Sequence, residues 1–166
     1  MKKILLLISL FTITISFAQK TTYILVRHAE KDTTTAGSTM MASDPPLTKA
    51  GEARAQRLVE TLKKYTPDAI YSTNYTRTKN TVLPLTQKLG LPTLIYNPKD
   101  LNYFAEQLLK EKDKTIVIAG HSNTTPTLVN LLTKKNSYPA LDESVYNKIY
   151  IVTINNSISN VEVIEY

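Results

Sequence analysis

The sequence predicts an α/β fold, a three-layer α/β/α sandwich with a mostly parallel sheet and an antiparallel hairpin at its C-terminal end. Two observations carry this expectation. From Thr22 to Thr133, short apolar β-branched runs alternate with stretches of helical spacing, and such alternation builds right-handed crossovers with helices on both faces of a parallel sheet. The last part of the chain instead holds two strand-like runs separated only by Asn155-Asn156-Ser157, the polar link that an antiparallel hairpin requires.

Taken in order, Met1–Ala18 combines the basic residues Lys2 and Lys3 with an apolar run from Ile4 to Phe17, broken by Ser9, Thr12, Thr14 and Ser16. The run is too short and too hydroxyl-rich for a membrane span, and Ser16-Phe17-Ala18 supplies small residues at a cleavage point. The expectation is a secretory signal peptide over residues 1–18, cut between Ala18 and Gln19, followed by one domain over residues 19–166. The mature protein is then exported, periplasmic or secreted, with no stable membrane association. There is no cysteine, so neither a disulfide nor a thiol-linked lipid anchor is available.

Thr22–Arg27 reads as a buried first strand, and residues 31–46, rich in Thr, Ser, Asp and Pro, as a long surface loop. Leu47, Ala50, Ala53, Leu58, Leu62 and Tyr65 recur at helical spacing, with Thr48 as N-cap and Pro67 beyond the end. Asp68–Thr73 is a second strand. Tyr75–Leu89 is a second helix that Pro84 should kink or divide and Gly90 should close. Thr93–Tyr96 is a third strand, Leu101–Lys112 a third helix, and Thr115–Ala119 a fourth strand running into Gly120-His121. A fourth helix, Thr125–Thr133, starts from a hydroxyl cap with Pro126 in its first turn. Lys148–Ile154 and Ile158–Ile164 form the hairpin.

Loops leaving the carboxyl ends of parallel strands converge on one crevice. Both histidines of the chain fall there, His28 after the first strand and His121 after the fourth. Arg27 precedes His28, and Arg77 follows the second strand. Guanidinium groups match phosphate oxygens in pairs and neutralise the charge that phosphoryl transfer develops. They also keep a neighbouring imidazole neutral, the form in which it attacks phosphorus. Backbone N–H groups at the helix start beyond Ser122 and Asn123 face an anion in the same way. The net charge of +6 falls to about +4 without Lys2 and Lys3, a mild excess that suits anionic ligands. Its lysines are dispersed, so no nucleic-acid surface is expected.

Several segments resemble the histidine phosphatase (phosphoglycerate mutase-like) superfamily. Leu25-Val26-Arg27-His28-Ala29-Glu30-Lys31 is similar to its arginine-histidine signature in an alanine variant, and Pro46-Leu47-Thr48-Lys49-Ala50-Gly51 to its Leu-Thr-x-x-Gly helix start. Ser72 with Arg77 and Thr81 resembles the second arginine segment, and Gly120-His121-Ser122 the second histidine motif. The short form resembles the SixA-like phosphohistidine phosphatases. The resemblance implies a metal-independent phosphatase, without cofactor, that hydrolyses a phosphomonoester or phosphohistidine through a phosphohistidine on His28. It implies that Arg27 and Arg77 clamp phosphate oxygens and that His121 stabilises the transferring group, with partners that are small phosphorylated molecules or phosphohistidine proteins; Ser122, at the helix start, is expected to bind phosphate beside them.

No Trp-Glu-Gly-like segment lies between Arg77 and Gly120, which leaves the proton donor open among Glu30, Asp32, Asp44 and Asp100, with Glu30 ranked first as the nearest to His28. That gap keeps a second reading in play, a catalytically weak module that binds phosphate ligands. A metal hydrolase is disfavoured, since there are two histidines, no cysteine and no His-Glu-x-x-His helix. A mutase is disfavoured by the missing segments. Substrate choice is expected to reside in residues 33–44 and 98–103.

Overall fold

The computed structural model describes residues 19–33 and 44–166. The signal-peptide expectation, and all of residues 34–43 in the first specificity segment, lie outside the described residues. Six strands, β1 (Lys20–Arg27), β2 (Ala69–Thr73), β3 (Thr93–Tyr96), β4 (Thr115–Gly120), β5 (Lys148–Asn155) and β6 (Ile158–Glu165), are joined by helices α1 (Lys49–Thr61), α2 (Thr76–Leu89), α3 (Leu101–Leu108) and α4 (Thr124–Thr133). The strand order is β3-β2-β4-β1-β5-β6. The first four in that order are parallel. β5 runs antiparallel to β1, and β6 antiparallel to β5.

Strand side chains alternate between faces, so β1 and β4 each feed two cores. Tyr23, Leu25, Ile116 and Ile118 pack with Phe104, Leu108, Leu128 and Leu132 from α3 and α4. Ile24, Val26, Val117 and Ala119 pack on the other face with Leu58, Val82 and Leu85 from α1 and α2, and with Leu62 just past α1. Each such Leu or Ile contributes about 1.5–3 kcal/mol by leaving water. The near-continuous apolar runs of the two strands follow from this double burial.

The chain leaves β1 towards one edge of the sheet with α1 on one face, and leaves β4 towards the other edge with α4 on the opposite face. The carboxyl ends of these two neighbouring strands therefore flank a topological switch point, where open α/β sheets place their ligands.

Three local expectations need correction. The third helix ends at Leu108 rather than Lys112, because the chain tightens into three-residue turns, Lys110 N to Gln107 O and Glu111 N to Leu108 O, and reaches positive φ at Asp113. Of the two outcomes expected at Pro84, division does not occur, since α2 runs through it as one helix. Asn80, whose carbonyl loses its donor to the proline, lines a surface groove beside Pro84, where solvent can serve it. α4 has no side-chain cap, since Asn123 makes no capping bond and the Thr124 hydroxyl accepts from the backbone N–H of His121 instead. The hairpin turn follows expectation: Asn156 (φ 46°) and Ser157 (φ 71°) supply the two left-handed residues of a twist-matched two-residue link.

The start of α1 anchors the loop after β1. Thr48 caps the helix by accepting from Gly51 N at 3.0 Å, and its own N–H donates to Glu30 O at 2.9 Å. Gly51 faces the same carbonyl so closely that a Cβ there would collide with backbone. A Gly-to-Ala change inside a helix ordinarily gains up to about 1 kcal/mol. Here the collision decides the sign: Gly51→Ala should destabilise by about 1–3 kcal/mol, read as a lower denaturation midpoint at unchanged slope.

Candidate active site

The register of β1 on β4 brings the two histidines together. Arg27 pairs with Gly120, and the next residue on each strand is a histidine. His28 N donates to Gly120 O at 2.9 Å, and the two rings meet edge to face with centroids 5.5 Å apart. Gly120 fits because a side chain there would strike the hydroxyls of Thr124, Thr125 and Tyr96. The histidines line a crevice of about 360 Å³ with Lys31, Tyr75, Arg77, Ser122 and Glu143 among its walls. A larger hollow of about 540 Å³, near Tyr23, Glu111 and Ser157, contains neither histidine.

His28 is buried, 3% exposed, and its Nδ1 lies 2.8 Å from Ala29 O. A carbonyl only accepts, so Nδ1 carries the ring proton and Nε2 keeps a free lone pair. The loop that does this is itself tied down. Ala29 N donates to Thr81 Oγ1 at 2.8 Å, and Thr81 donates to Arg77 O at 2.7 Å. Burial, and then the charges of Arg27 and Arg77, lower the His28 pKa to about 3 against the opposing pull of the Ala29 bond. Burial, Arg77, Arg27 and Lys31 lower His121 to about 4. Both rings are therefore neutral near pH 7.

Arg77 stacks its guanidinium 4.4 Å over the Tyr75 ring and lies 3.5 Å from Asp44 Oδ1 through Nη1. Its Nε and Nη1 are nevertheless buried without a hydrogen-bond partner among the described residues, as is Nε of Arg27. Arg27 is 1% exposed and is more heavily engaged than the sequence suggests. Its Nη1 donates to the carbonyls of Asp142, Glu143 and Val145 at 2.9–3.1 Å, its Nη2 to Glu143 Oε2 at 2.9 Å, and it sits 4.1 Å over the Tyr146 ring. Arg27 is not itself among the residues lining the crevice; it reaches the crevice wall through Glu143 and fastens the segment before β5.

Sequence reasoning missed Glu143. Its carboxylate accepts from Ser122 Oγ at 2.7 Å and from Arg27, with Lys31 Nζ 3.8 Å away. The Ser122 bond first, then the two cations, hold its pKa below the usual carboxylate value. Nothing in the sequence around it signals the role, because it reaches the crevice from an irregular segment.

The carboxyls chosen from sequence are placed otherwise. Glu30, ranked first as proton donor, does not line the crevice. Arg54 grips both of its oxygens at 2.7–3.0 Å. Burial raises its pKa, but the Arg54 bonds outweigh this and the net shift is downward. Asp44 accepts from the N–H and hydroxyl of Thr76 at the start of α2, and Asp100 caps α3. Asp32 is not among the residues lining the crevice. Among the described residues, no three His, Cys, Asp or Glu side chains converge as a metal site would require, and no helix is long and apolar enough to cross a membrane.

Residues 23–98 match the family model of the histidine phosphatase superfamily, branch 1. No curated protein sequence matches significantly. Among solved structures, the fold is similar to the protein histidine phosphatase SixA complexed with tungstate (TM-score 0.67, 16% identity, 87% of this chain and 96% of that one). It is also similar to a mycobacterial glucosyl-3-phosphoglycerate phosphatase (0.65, 16%, 90% and 99%) and to the α-ribazole phosphatase of Shigella flexneri (0.65, 16%, 87% and 96%). The sequence match to the superfamily model covers residues 23–98, and the likeness to the solved structures is one of fold.

The two depressed imidazoles make a thermodynamic prediction. In the unfolded chain they bind protons near the ordinary value of 6.5, but in the folded protein only near 3 and 4. Stability they leave intact above pH 6.5 should drain away as pH falls from about 6.5 towards 4. In denaturant titrations at pH 7 and pH 4.5, His28→Asn and His121→Asn should each lose less stability between the two pH values than the wild type.

Proposed function

We propose that the chain is a metal-independent phosphatase of the histidine phosphatase superfamily, a reading supported by the family-model match over residues 23–98. It hydrolyses a phosphomonoester or phosphohistidine through a phosphohistidine on His28. One observation carries the reading: a neutral imidazole with Nε2 unprotonated by design stands beside buried guanidinium N–H groups that have no hydrogen-bond partner among the described residues. Buried charged donors left unpaired are costly, and a phosphoryl group would satisfy them.

In the proposed course, Arg77, Arg27 and an N–H of His121 hold the non-bridging oxygens. Nε2 of His28 attacks phosphorus, a P–N bond forms, and the bond to the leaving group breaks with its electron pair. The ring is then a cation on its Nδ1–H side, stabilised by the Ala29 carbonyl. Water next attacks phosphorus, the P–N bond breaks, phosphate leaves carrying the water oxygen, and a proton passes to the departed group. Neutralisation of charge and positioning supply most of the acceleration in such transfers.

Glu143 occupies Ser122, Arg27 and the vicinity of Lys31, groups that a phosphate would use, so substrate entry displaces its carboxylate. Both Glu143 and Glu30 are held ionised by their partners. Leaving groups that need little protonation, such as an imidazole or a phenol, therefore fit best, in keeping with the fold shared with SixA. The same proposal places the mature protein outside the cytosol after cleavage at Ala18-Gln19.

The decisive assay is hydrolysis of p-nitrophenyl phosphate by residues 19–166 in the presence of EDTA. Multiple turnovers that vanish in His28→Ala are expected; turnover that survives in that variant, or that EDTA abolishes, overturns the reading. Phosphate binding without turnover would mark a binding module instead. Glu143→Ala should lower KM several-fold by removing the internal competitor while kcat for aryl phosphates holds. A fall in kcat confined to alkyl phosphates would instead make Glu143 the proton donor.

A further inference from the structure

His121 is the second imidazole of the crevice, and the group behind it has no assigned role. Its Nε2 lies 3.0 Å from Thr73 Oγ1, and Thr73 Oγ1 lies 2.8 Å from Thr78 Oγ1. Both threonines are fully buried. Thr73 ends β2 and Thr78 lies in the first turn of α2, so the helix that carries Arg77 and the strand before it supply a line of two hydroxyls ending on the ring.

The direction of that line sets the tautomer. If Thr73 accepts from Nε2–H, the neutral ring turns a bare lone pair at Nδ1 towards any ligand in the crevice, which repels phosphate oxygens. If Thr73 donates to Nε2, the neutral ring carries its proton on Nδ1 and can donate it to a phosphoryl oxygen. The second arrangement needs Thr78 to donate to Thr73 rather than to the two carbonyls within its reach, Thr73 O at 3.0 Å and Tyr75 O at 2.8 Å. Neither carbonyl would be orphaned. Ser72 Oγ already donates to Thr73 O, and Lys79 N to Tyr75 O.

The alternative way to place a donor at Nδ1 is to protonate the ring. Arg77, Arg27 and Lys31 all face it, with Asp44 opposing them only in part, so an imidazolium there is disfavoured. The hydroxyl line offers the N–H without the charge.

We infer that Thr73, backed by Thr78, is a positioning residue that donates to Nε2 of His121 and so holds this ring as the neutral Nδ1–H tautomer when phosphate is bound. The inference rests on the phosphatase reading and gives His121 a defined protonation state within it. Replacing a partner that orients a functional histidine typically costs about 10- to 100-fold in activity. Thr73→Val, which keeps the branched shape and removes the hydroxyl, should lower kcat on p-nitrophenyl phosphate by about that factor with a smaller change in KM. Thr73→Ser should restore most of it.

A tautomer readout separates this from general damage. In ¹⁵N-histidine NMR of the phosphate-bound protein at pH 7, His121 should appear neutral with Nδ1 protonated, and Thr73→Val should shift it to the Nε2–H form or to imidazolium. An Nε2–H ring in the wild type, or the same tautomer with and without the Thr73 hydroxyl, overturns the inference even if phosphatase activity is present. Failure of inorganic phosphate to perturb either histidine overturns the phosphatase reading itself, and this inference with it.

Discussion

The pairing of β1 with β4 is the constraint on which the site depends. Two parallel strands whose backbones hydrogen-bond lie about 4.8 Å apart, and the register that sets Arg27 opposite Gly120 fixes His28 beside His121 before any side chain chooses a rotamer. The same two strands are the most deeply buried of the sheet, their residues alternating into the cores on both faces. A one-residue slip would invert every one of those side chains. The geometry of the histidines is thus held by the whole hydrophobic core rather than by local contacts.

On that frame the chain concentrates cations around two uncharged rings. Burial first, and then Arg27 and Arg77, lower both histidines, with Lys31 adding to the effect on His121, and three carboxylates are distributed to limit the mutual repulsion of these cations. Asp44 lies against Arg77, Glu143 against Arg27 and Lys31, and Glu30 is kept apart on Arg54. Of these only Glu143 is both largely exposed, at 67%, and inside the crevice. It is the counter-ion that an incoming anion can replace at least cost, because its carboxylate returns to water when it leaves.

The parts legible in the sequence are those where chemistry and backbone coincide. Arg27-His28 and Gly120-His121 follow apolar strands directly, Arg77 opens a helix, and Thr48 and Gly51 mark a helix start, so each site residue sits at a boundary that periodicity reveals. Glu143 belongs to an irregular segment whose position only the folded chain defines. Closeness to His28 in sequence favours Glu30 as proton donor, but the loop beyond β1 is tied to the start of α1, and there Arg54 holds the Glu30 carboxylate. Thr73 and Thr78 were invisible for a different reason. Hydroxyl residues near a strand end read as ordinary turn formers, and their alignment on Nε2 arises from the angle at which α2 leaves β2. The shortened third helix and the undivided second one are of the same kind, tertiary context overriding local propensity.

The remaining choice is between catalysis and simple retention of phosphate, and the protonation states bear on it. A pocket evolved only to hold an anion gains from imidazolium rings, which add charge and a second donor each. Here burial and the arginines strip both histidines of that charge at neutral pH, and the Ala29 carbonyl commits His28 to the tautomer whose crevice-facing nitrogen cannot donate at all. A lone pair aimed at phosphate is a liability for binding, since it repels the oxygens that the guanidinium groups attract. It becomes useful only if it forms a bond to phosphorus, and that asymmetry is why the geometry favours an enzyme over a receptor.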